Sequence, residues 1–287
     1  METYTLSNGM QIPRIGLGTW LLDNDQVEQA VINAVKTGYR HIDTAQAYQN
    51  EDGVGRGVSA CNIPRDQLFI TTKVAAEHKT YESAAASIES SLAALQTGYV
   101  DLMLIHAPQP WKEFRSDSNH DGGNLEAWRA MEDAVDAGKV KAIGVSNFLR
   151  HDLENILSHC RIKPVVNQVL AHVGNTPFDL IDFCRSQDIL VEAYSPIAHG
   201  AVLNQPLVKE MADCHQVSVA QICLRYCLQL GLLPLPKTAN SEHMRSNLTL
   251  DFTLSEEEMT QLKSMKKLDS YGEHSFFPVF ATQLKGE

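Results

Sequence analysis

Short apolar segments alternate with amphipathic helical segments along this chain, and that alternation restricts its fold more than any other feature. Helical segments such as Gln26–Lys36 and Glu82–Leu95 carry apolar residues every three to four positions. The strand-like segments are Ile15–Gly18, Tyr39–Asp43, Leu68–Lys73, Val100–His106, Val140–Ser146, Val165–Val169, Leu190–Ser195 and Leu232–Pro236. Successive strands that are joined through helices pair in parallel. Eight such strands in 287 residues predict an α/β fold, a closed (β/α)₈ TIM barrel.

The two ends of the chain and two long connections add to a minimal barrel. Asn8-Gly9 lies between alternating apolar residues and predicts an N-terminal β-hairpin. The residues beyond the eighth strand predict extra C-terminal helices, and the tail after Met265 holds several aromatic residues. Together with this tail, the connections Gln109–Gly123 and Ile197–Gln216 are expected to be long loops that supply substrate contacts at the barrel mouth. No Gly/Ser/Pro-rich linker divides the chain, so we expect residues 1–287 to form a single domain.

The balance of charged residues disfavours several classes of partner. The chain has 35 Asp and Glu residues against 24 Lys and Arg residues, which gives a formal net charge of −11. Such acidity disfavours association with nucleic acid or with an anionic membrane surface. The cysteines form no CxxC pair, no leader peptide opens the chain, and no apolar run is long enough to cross a bilayer. We therefore expect a cytoplasmic protein and, because no exposed heptad run is present, a monomer.

Four ionisable residues lie at or just after the ends of three successive predicted strands. Asp43 ends the second strand and Tyr48 follows five residues later, while Lys73 and His106 end the third and fourth strands. The carboxyl ends of the strands converge on one face of a parallel barrel, so these side chains should share a pocket. A single strand-end Lys or Asp is more often part of a salt bridge on the rim. The joint occurrence of all four residues indicates a catalytic site.

Reduction of a carbonyl group is the chemistry that suits this set of residues. Addition of hydride to C=O places negative charge on the oxygen, which a proton donor must neutralise. A phenol has an ordinary pKa of about 10, and the Lys73 ammonium would lower the pKa of Tyr48 by stabilising the phenolate. Asp43 would hold Lys73, and His106 would donate a hydrogen bond that orients and polarises the carbonyl. Tyr48 is therefore the predicted proton donor.

Several motifs around these residues resemble those of the aldo-keto reductase superfamily. His41-Ile-Asp-Thr-Ala-Gln-Ala-Tyr48 and Asp101-Leu-Met-Leu-Ile-His106-Ala-Pro108 resemble two of its signatures. Further matching motifs, in the expected order, are Asn50-Glu51, Val54-Gly55, Gly144-Val-Ser-Asn-Phe148, Asn167-Gln168-Val169, Ala193-Tyr-Ser-Pro196 and Leu235-Pro-Lys237. The resemblance implies the barrel fold, NADPH-dependent reduction of a small-molecule carbonyl substrate, and a catalytic tetrad. That tetrad would be Asp43, Tyr48, Lys73 and His106.

The resemblance also implies where a nicotinamide cofactor would bind. Gly53-Val-Gly55-Arg-Gly57 has the wrong spacing for a dinucleotide-binding fingerprint and follows no strand, so we expect it to belong to a helix. In the family pattern, Ser146, Asn147 and Gln168 would bind the nicotinamide carboxamide, and Tyr194 would stack on the ring. The remaining implied positions are Ser195 and Ile197 along the pyrophosphate, and Lys237, Thr238, His243 and Asn247 at the adenosine end.

The adenosine end departs from the family pattern at two positions. His243 stands where members that prefer NADPH usually have Arg, and Ser246 stands where they have Glu. Arg is permanently charged and can stack on adenine while it pairs with the 2′-phosphate, whereas imidazole is only partly charged near neutral pH. We therefore expect NADPH to be the preferred cofactor, with weak discrimination that allows NADH to serve as well.

Aromatic residues near the strand ends indicate the size of the substrate. Trp20 follows the first strand and, together with Tyr48, His106 and Trp111, is expected to line the substrate pocket. Ala107 follows His106 where many relatives have Trp, which removes an aromatic wall. The tail is too short to offer much material for steroid-type selectivity. Small aldehydes, α-keto carbonyls or keto-sugars are therefore the expected substrates.

Three alternative functions can be compared with this hypothesis. A non-catalytic, cofactor-binding regulatory module would be favoured by the loss of a tetrad residue, and none is lost. A metal-dependent hydrolase would need paired ligands, but the eleven histidines include no His-x-His pair and no HExxH helix. A glycosidase would need two facing carboxylates, for which Asp43 and Glu192 are the candidates, but Lys73 and Tyr48 would then have no evident role.

Overall fold

The computed structural model describes residues 2–268 and 270–281 of the chain. Its strands are β1 (Thr3–Thr5), β2 (Gln11–Pro13), β3 (Leu17–Gly18), β4 (His41–Asp43), β5 (Phe69–Val74), β6 (Val100–Ile105), β7 (Val140–Ser146), β8 (Val166–Leu170), β9 (Leu190–Tyr194) and β10 (Leu233–Leu235). Its helices are α1 (Asn24–Thr37), α2 (Glu51–Ala60), α3 (Tyr81–Ala94), α4 (Asp121–Asp136), α5 (Arg150–His159), α6 (Phe178–Ser186), α7 (Pro206–His215), α8 (Val219–Gln229), α9 (Ser241–Leu248) and α10 (Glu256–Lys263).

Strands β3 to β10 form the parallel barrel that the order of strands and helices predicted. Each strand pairs in parallel with the next one along the chain. A parallel bridge between Gly18 and Lys237, with a hydrogen bond of 3.1 Å from Gly18 N to Pro236 O, joins the end of the sheet back to its start. A Cβ atom on Gly18 would lie 3.1 Å from the Leu235 carbonyl oxygen, so glycine permits this close approach. The barrel is therefore closed.

The predicted N-terminal hairpin covers one end of the barrel. Strands β1 and β2 pair antiparallel, and Gly9 in the connecting turn has a φ of +84°, which glycine adopts without strain. Leu6 and Ile12 pack against apolar side chains inside the barrel, including Phe69 and Leu102 near the beginnings of their strands. The amino ends of the strands are thereby closed by apolar packing. A site for polar chemistry is left to the carboxyl ends.

Helix α7 corrects the prediction for one of the two long connections. The segment Ile197–Gln216 was expected to be a loop, but its second half is helical from Pro206 to His215. Proline suits the first position of a helix, where its missing N–H is not needed. Val208 and Met211 are buried at three-residue spacing, the helical period that the sequence interpretation overlooked.

The remaining helices form where the sequence predicted helices, and mainly their first and last residues differ from the predicted ones. Helix α2 contains the glycine run Gly53–Gly57, as expected from its unsuitable spacing for phosphate binding. Helices α9 and α10 are the predicted additions after the last strand. None of the helices in the described part of the chain is both long and apolar enough to cross a membrane.

Candidate active site

The candidate site is formed by the last inward-facing residues of the barrel strands. Successive side chains of a strand point to opposite faces, so every second residue faces the interior. In β6, Leu102 and Leu104 belong to the interior apolar cluster, and His106 follows two residues later. In β5 the same alternation leads from Phe69 to Lys73. The interior therefore changes from apolar at the hairpin end to polar at the carboxyl ends of the strands.

Lys73 connects three of the four predicted catalytic residues. Its ammonium nitrogen Nζ donates hydrogen bonds of 2.8 Å to Asp43 Oδ1 and 2.8 Å to the Thr44 carbonyl oxygen. The same nitrogen lies 3.3 Å from the hydroxyl oxygen of Tyr48, which belongs to a short 3₁₀ turn after β4. Lys73 is 0% exposed, so its charge is balanced inside the protein by Asp43 rather than by water.

Burial decides the pKa of Tyr48 in this structure. Loss of hydration raises the pKa of the Tyr48 hydroxyl, and the Lys73 ammonium opposes this increase without overcoming it. The Lys73 ammonium does lower the pKa of Tyr48, as the sequence predicts, but the predicted net direction was wrong because burial has the larger effect. Burial also lowers the pKa of Lys73, but the charges of Asp43 and Tyr48 outweigh that effect and the pKa is raised. Lys73 is therefore a stable cation beside a neutral phenol.

His106 lies against the aromatic part of the site as a neutral imidazole. Burial holds the pKa of His106 well below its usual range, and the Lys73 charge lowers it further. The His106 ring makes edge contacts with Tyr48 and Trp111, at centroid separations of 5.6 Å and 5.1 Å. Among the described residues its Nδ1 atom has no hydrogen-bond partner. His106 lines the cavity, and a neutral imidazole still carries one N–H, so it can offer a hydrogen bond to a ligand without adding a second positive charge.

These residues open into a cavity of about 290 Å³ at the carboxyl ends of the strands. The predicted site residues that line it are Trp20, Asp43, Tyr48, His106, Trp111, Ser146, Asn147, Gln168, Tyr194, Ser195, Ile197 and Lys237. Lys73 contributes to the site through its bonds to Asp43 and Tyr48. The structure therefore brings the predicted catalytic, substrate and nicotinamide positions together.

Three of the predicted adenosine-end positions lie outside this cavity. Thr238 is buried and accepts a hydrogen bond of 3.0 Å from Asn240 N, just before α9. His243 is exposed in the first turn of α9, and Asn247 is buried in its last turn. The cavity reaches only as far as Lys237 at this end. The geometry therefore leaves the roles of these three residues as predictions.

The wall formed by β7, β8 and β9 suits a carboxamide and a flat ring. Asn147 Nδ2 donates to the His106 carbonyl oxygen at 3.0 Å, and Asn147 Oδ1 accepts from the Tyr194 hydroxyl at 2.7 Å. The second of these bonds ties the Tyr194 ring to the cavity wall. Lys237 supplies a positive charge at the far end, with no carboxylate within ion-pair distance in the described ranges 2–268 and 270–281. These features fit a nicotinamide cofactor with its negative phosphates toward Lys237.

Sequence reasoning missed part of the cavity wall. His199, at a left-handed φ of 51°, and His274 line the cavity with their rings 4.3 Å apart, and Trp20 lies 5.6 Å from His199. Phe277 and Phe280 from the tail complete this wall. The two phenylalanines belong to the aromatic tail that was predicted to supply substrate contacts, so only the two histidines were missed. Nothing in the local sequence around His199 or His274 indicated that they would meet.

The two enzyme alternatives find no support in the geometry. Asp43 and Glu192 are both bonded to the same Gln168 amide nitrogen, at 2.8 Å and 2.7 Å, so a side chain fills the space that a sugar would need between them. No group of three or more His, Cys, Asp or Glu residues is arranged to hold a metal ion in the part of the chain that the structure describes.

Comparisons with known proteins agree with this geometry. The model of the aldo/keto reductase family matches residues 14–267. Glyoxal reductase from Bacillus subtilis is 40% identical over 273 residues, which cover 94% of this chain and 95% of that protein. The 9,11-endoperoxide prostaglandin H2 reductase of Trypanosoma cruzi is 37% identical and covers 96% of this chain and 95% of its own length.

Solved structures show the same similarity. An aldo/keto reductase from Brucella melitensis superposes with a TM-score of 0.85 at 38% identity, over 91% of this chain and 98% of its own. A Bombyx mori aldo-keto reductase in complex with NADP superposes with a TM-score of 0.86 at 32% identity, over 97% and 98% of the two chains. A family match of this extent, with relatives well above 30% identity along nearly the whole sequence, shows that this chain belongs to the aldo/keto reductase family.

Proposed function

We propose that this protein reduces aldehydes or ketones to alcohols with a nicotinamide cofactor, and that Tyr48 is the proton donor. The observation that carries the proposal is the chain of contacts from Asp43 through the fully buried Lys73 to the Tyr48 hydroxyl. A buried lysine is costly unless it is paired. An ion pair that served only to stabilise the fold would not need to lie beside a phenol that lines the cavity. The position of the Lys73–Asp43 pair next to Tyr48 therefore indicates a catalytic role.

The residues would act together on the carbonyl oxygen. As negative charge develops there, the Tyr48 hydroxyl proton moves to it, and the Lys73 ammonium stabilises the phenolate that remains. Asp43 keeps Lys73 charged and in place. Neutral His106 donates a hydrogen bond that orients the carbonyl. The Trp111 ring, which stands nearly perpendicular to the His106 imidazole, would exclude water from this part of the site.

The bound reduced cofactor would supply the hydride to the carbonyl carbon. Ser146, Asn147 and Gln168 would hold its carboxamide, the Tyr194 ring would support its nicotinamide, and Ser195 and Ile197 would follow its pyrophosphate. Lys237, Thr238, His243 and Asn247 would hold the adenosine end. NADPH is the preferred cofactor in this proposal and NADH a second one. The NADP complex of the Bombyx mori relative supports NADP(H) binding.

The cavity favours small substrates. Trp20 and Trp111 stand on its walls, and about 290 Å³ leaves little space beyond the cofactor ring. Short aldehydes, α-keto carbonyls and keto-sugars fit this volume. The name of the Bacillus subtilis relative, a glyoxal reductase, supports α-dicarbonyl compounds as the first class to test. We further propose that residues 1–287 act as one catalytic domain and as a cytoplasmic monomer.

The substitution Tyr48→Phe tests the proposed reaction. The absorbance of NADPH is followed with glyoxal, other short aldehydes and keto-sugars as substrates. Wild type is expected to turn over, and the variant should lose about 10²–10⁴-fold in kcat because the proton donor is absent. Binding of NADPH, measured by quenching of tryptophan fluorescence, should be retained.

A matched control separates this effect from general damage. Tyr81→Phe removes a hydroxyl that bonds Asp133 at the exposed start of α3, and it should keep wild-type activity. Full activity in Tyr48→Phe would disprove the mechanism. If the wild type binds NADPH but reduces none of the substrates, that result favours the alternative of a cofactor-binding regulatory module.

A further inference from the structure

Glu192 is a buried acid beneath the cavity that the proposed reaction does not use. It lies in β9 and is 0% exposed. Its Oε2 atom accepts a hydrogen bond of 2.7 Å from Gln168 Nε2, and in the described part of the chain its Oε1 atom has no partner. A carboxyl group placed here is costly to bury. Its single contact indicates that its purpose concerns Gln168.

The amide nitrogen of Gln168 is held between two carboxyl groups. It donates at 2.8 Å to Asp43 Oδ2 and at 2.7 Å to Glu192 Oε2. A primary amide nitrogen has two hydrogens, so both are used. The reverse orientation of the amide would set its carbonyl oxygen against the Asp43 carboxylate, which is unfavourable. The two acids therefore fix which end of the amide faces the protein.

The other hydrogens along this wall are also committed within the protein. The Ser146 hydroxyl donates to the Gln168 backbone carbonyl at 2.9 Å. The Asn147 amide nitrogen donates to the His106 carbonyl oxygen at 3.0 Å and to Ser146 Oγ at 3.2 Å. Gln168 lines the cavity, and both hydrogens of its side-chain amide are already used. It can therefore offer a ligand only its side-chain oxygen Oε1, which is an acceptor.

We propose that Glu192 is a positioning residue that holds the Gln168 amide so that its oxygen accepts a hydrogen bond from the amino group of the nicotinamide carboxamide. This inference rests on the proposed nicotinamide site. Asp43 uses its other oxygen to bind Lys73, so it shares in catalysis. Among the described residues Glu192 hydrogen-bonds only to Gln168, and it takes up the second hydrogen of that amide. Without Glu192 that hydrogen is free and only Asp43 still holds the amide, which can then pivot about this one bond and move its oxygen out of line with the ligand.

The role requires an acceptor oxygen and not a negative charge. Burial, followed by the charge of Asp43, raises the pKa of Glu192 to about 8, so the group carries a proton at neutral pH. Glutamine has the same shape and keeps a carbonyl oxygen for the Gln168 amide. Glu192→Gln should therefore preserve the arrangement, whereas Glu192→Leu keeps the volume but removes the acceptor.

Cofactor binding tests the proposal without turnover. Trp20 and Trp111 line the cavity, so their fluorescence reports occupancy. The probes are NADP⁺ and its 3-acetylpyridine analogue, in which a methyl group replaces the carboxamide amino group. Wild type should bind NADP⁺ about tenfold more tightly than the analogue, since the analogue cannot donate the hydrogen bond to Gln168. In Glu192→Leu that ratio should fall to about two or less, and Glu192→Gln should keep the wild-type ratio.

The outcomes separate this inference from the proposed function. Equal affinity of wild type for the two probes, an unchanged ratio in Glu192→Leu, or a lost ratio in Glu192→Gln would each overturn the role of Glu192. If Glu192→Leu does not fold, Glu192→Met takes its place, because methionine also has a similar volume and lacks the acceptor oxygen; equal affinity in wild type would overturn the role without any variant. Failure of wild type to bind NADP⁺ at all would instead contradict the proposed nicotinamide site.

Discussion

Glu192 makes the free energy of unfolding depend on pH. A salt-bridged carboxylate stabilises the protein more as pH rises, whereas Glu192 stabilises it less. Its pKa is raised by burial to about 8, whereas an exposed Glu in the unfolded chain has a pKa of about 4.3. Between these two values the folded protein binds the proton and the unfolded chain does not. The contribution of Glu192 to the free energy of unfolding therefore falls as pH rises through this range.

We predict that Glu192→Gln removes this pH dependence, because a glutamine cannot ionise. Relative to wild type, the free energy of unfolding of the variant should rise between pH 5 and pH 8. Urea unfolding followed by circular dichroism at several pH values measures the difference. A difference between the two proteins that stays constant with pH would mean that Glu192 is already ionised in the folded state.

His243 is the residue at which cofactor choice is best tested. It is exposed in the first turn of α9, where the departure from the family pattern removes a permanent positive charge. We predict that His243→Arg raises the ratio of kcat/KM for NADPH over NADH about tenfold, equivalent to about 1.4 kcal/mol for one charged hydrogen bond to the 2′-phosphate. Steady-state kinetics with both cofactors measures the ratio. His243→Gln is the neutral control, and an equal gain in both variants would exclude a charge effect.

At the scale of the elements, the packing of α2 depends on its glycines. A Cβ atom on Gly55 would lie 2.7 Å from the backbone carbonyl carbon and oxygen of Leu95, at the end of α3. Backbone atoms cannot move aside as a flexible side chain can. The run of glycines whose spacing does not suit a phosphate-binding loop is therefore required for close contact between helices.

We predict that Gly55→Ala lowers the free energy of unfolding by about 1–3 kcal/mol, the usual range for overpacking. Gly122→Ala is the matched control, because Gly122 also lies in a helix, α4, and its added Cβ would meet nothing within 4 Å. That control should raise stability by about 0.4–1 kcal/mol. Chemical denaturation compares the two variants, and equal effects would show that α2 can shift away from α3.

At the scale of the whole molecule, residues near the two ends of the chain meet over the cavity. Trp20 follows the first barrel strand, and its ring lies 5.6 Å from the rings of both Phe277 and Phe280 in the tail. Phe280 is 3% exposed and also contacts His199, at a ring separation of 4.5 Å. The tail is therefore held over the site mainly by aromatic packing.

We predict that Phe280→Ala loosens the tail. The substitution removes apolar contacts worth about 3–5 kcal/mol for a buried phenylalanine, and local opening should become frequent. Limited proteolysis with mass spectrometry should show faster cleavage between residues 271 and 281. Phe276→Ala serves as the control, since Phe276 is 73% exposed and its loss should leave the rate unchanged. Cleavage of Phe280→Ala at the wild-type rate would mean that other contacts hold the tail.

Local patterns in the sequence were sufficient to predict the barrel fold and to place the four residues at its strand ends in one pocket. Strands and helices have fixed periods, and the carboxyl ends of parallel strands always share one face, so Asp43, Tyr48, Lys73 and His106 could be assigned to one pocket. Tertiary structure alone decided the contact between Asp43 and Gln168, which lie 125 residues apart, and the approach of Glu192 to the same amide. Such contacts depend on barrel closure, on strand register and on side-chain rotamers, none of which local periodicity encodes. Burial, which reversed the expected pKa shift of Tyr48, was likewise decided by the folded surroundings and not by the neighbours along the chain.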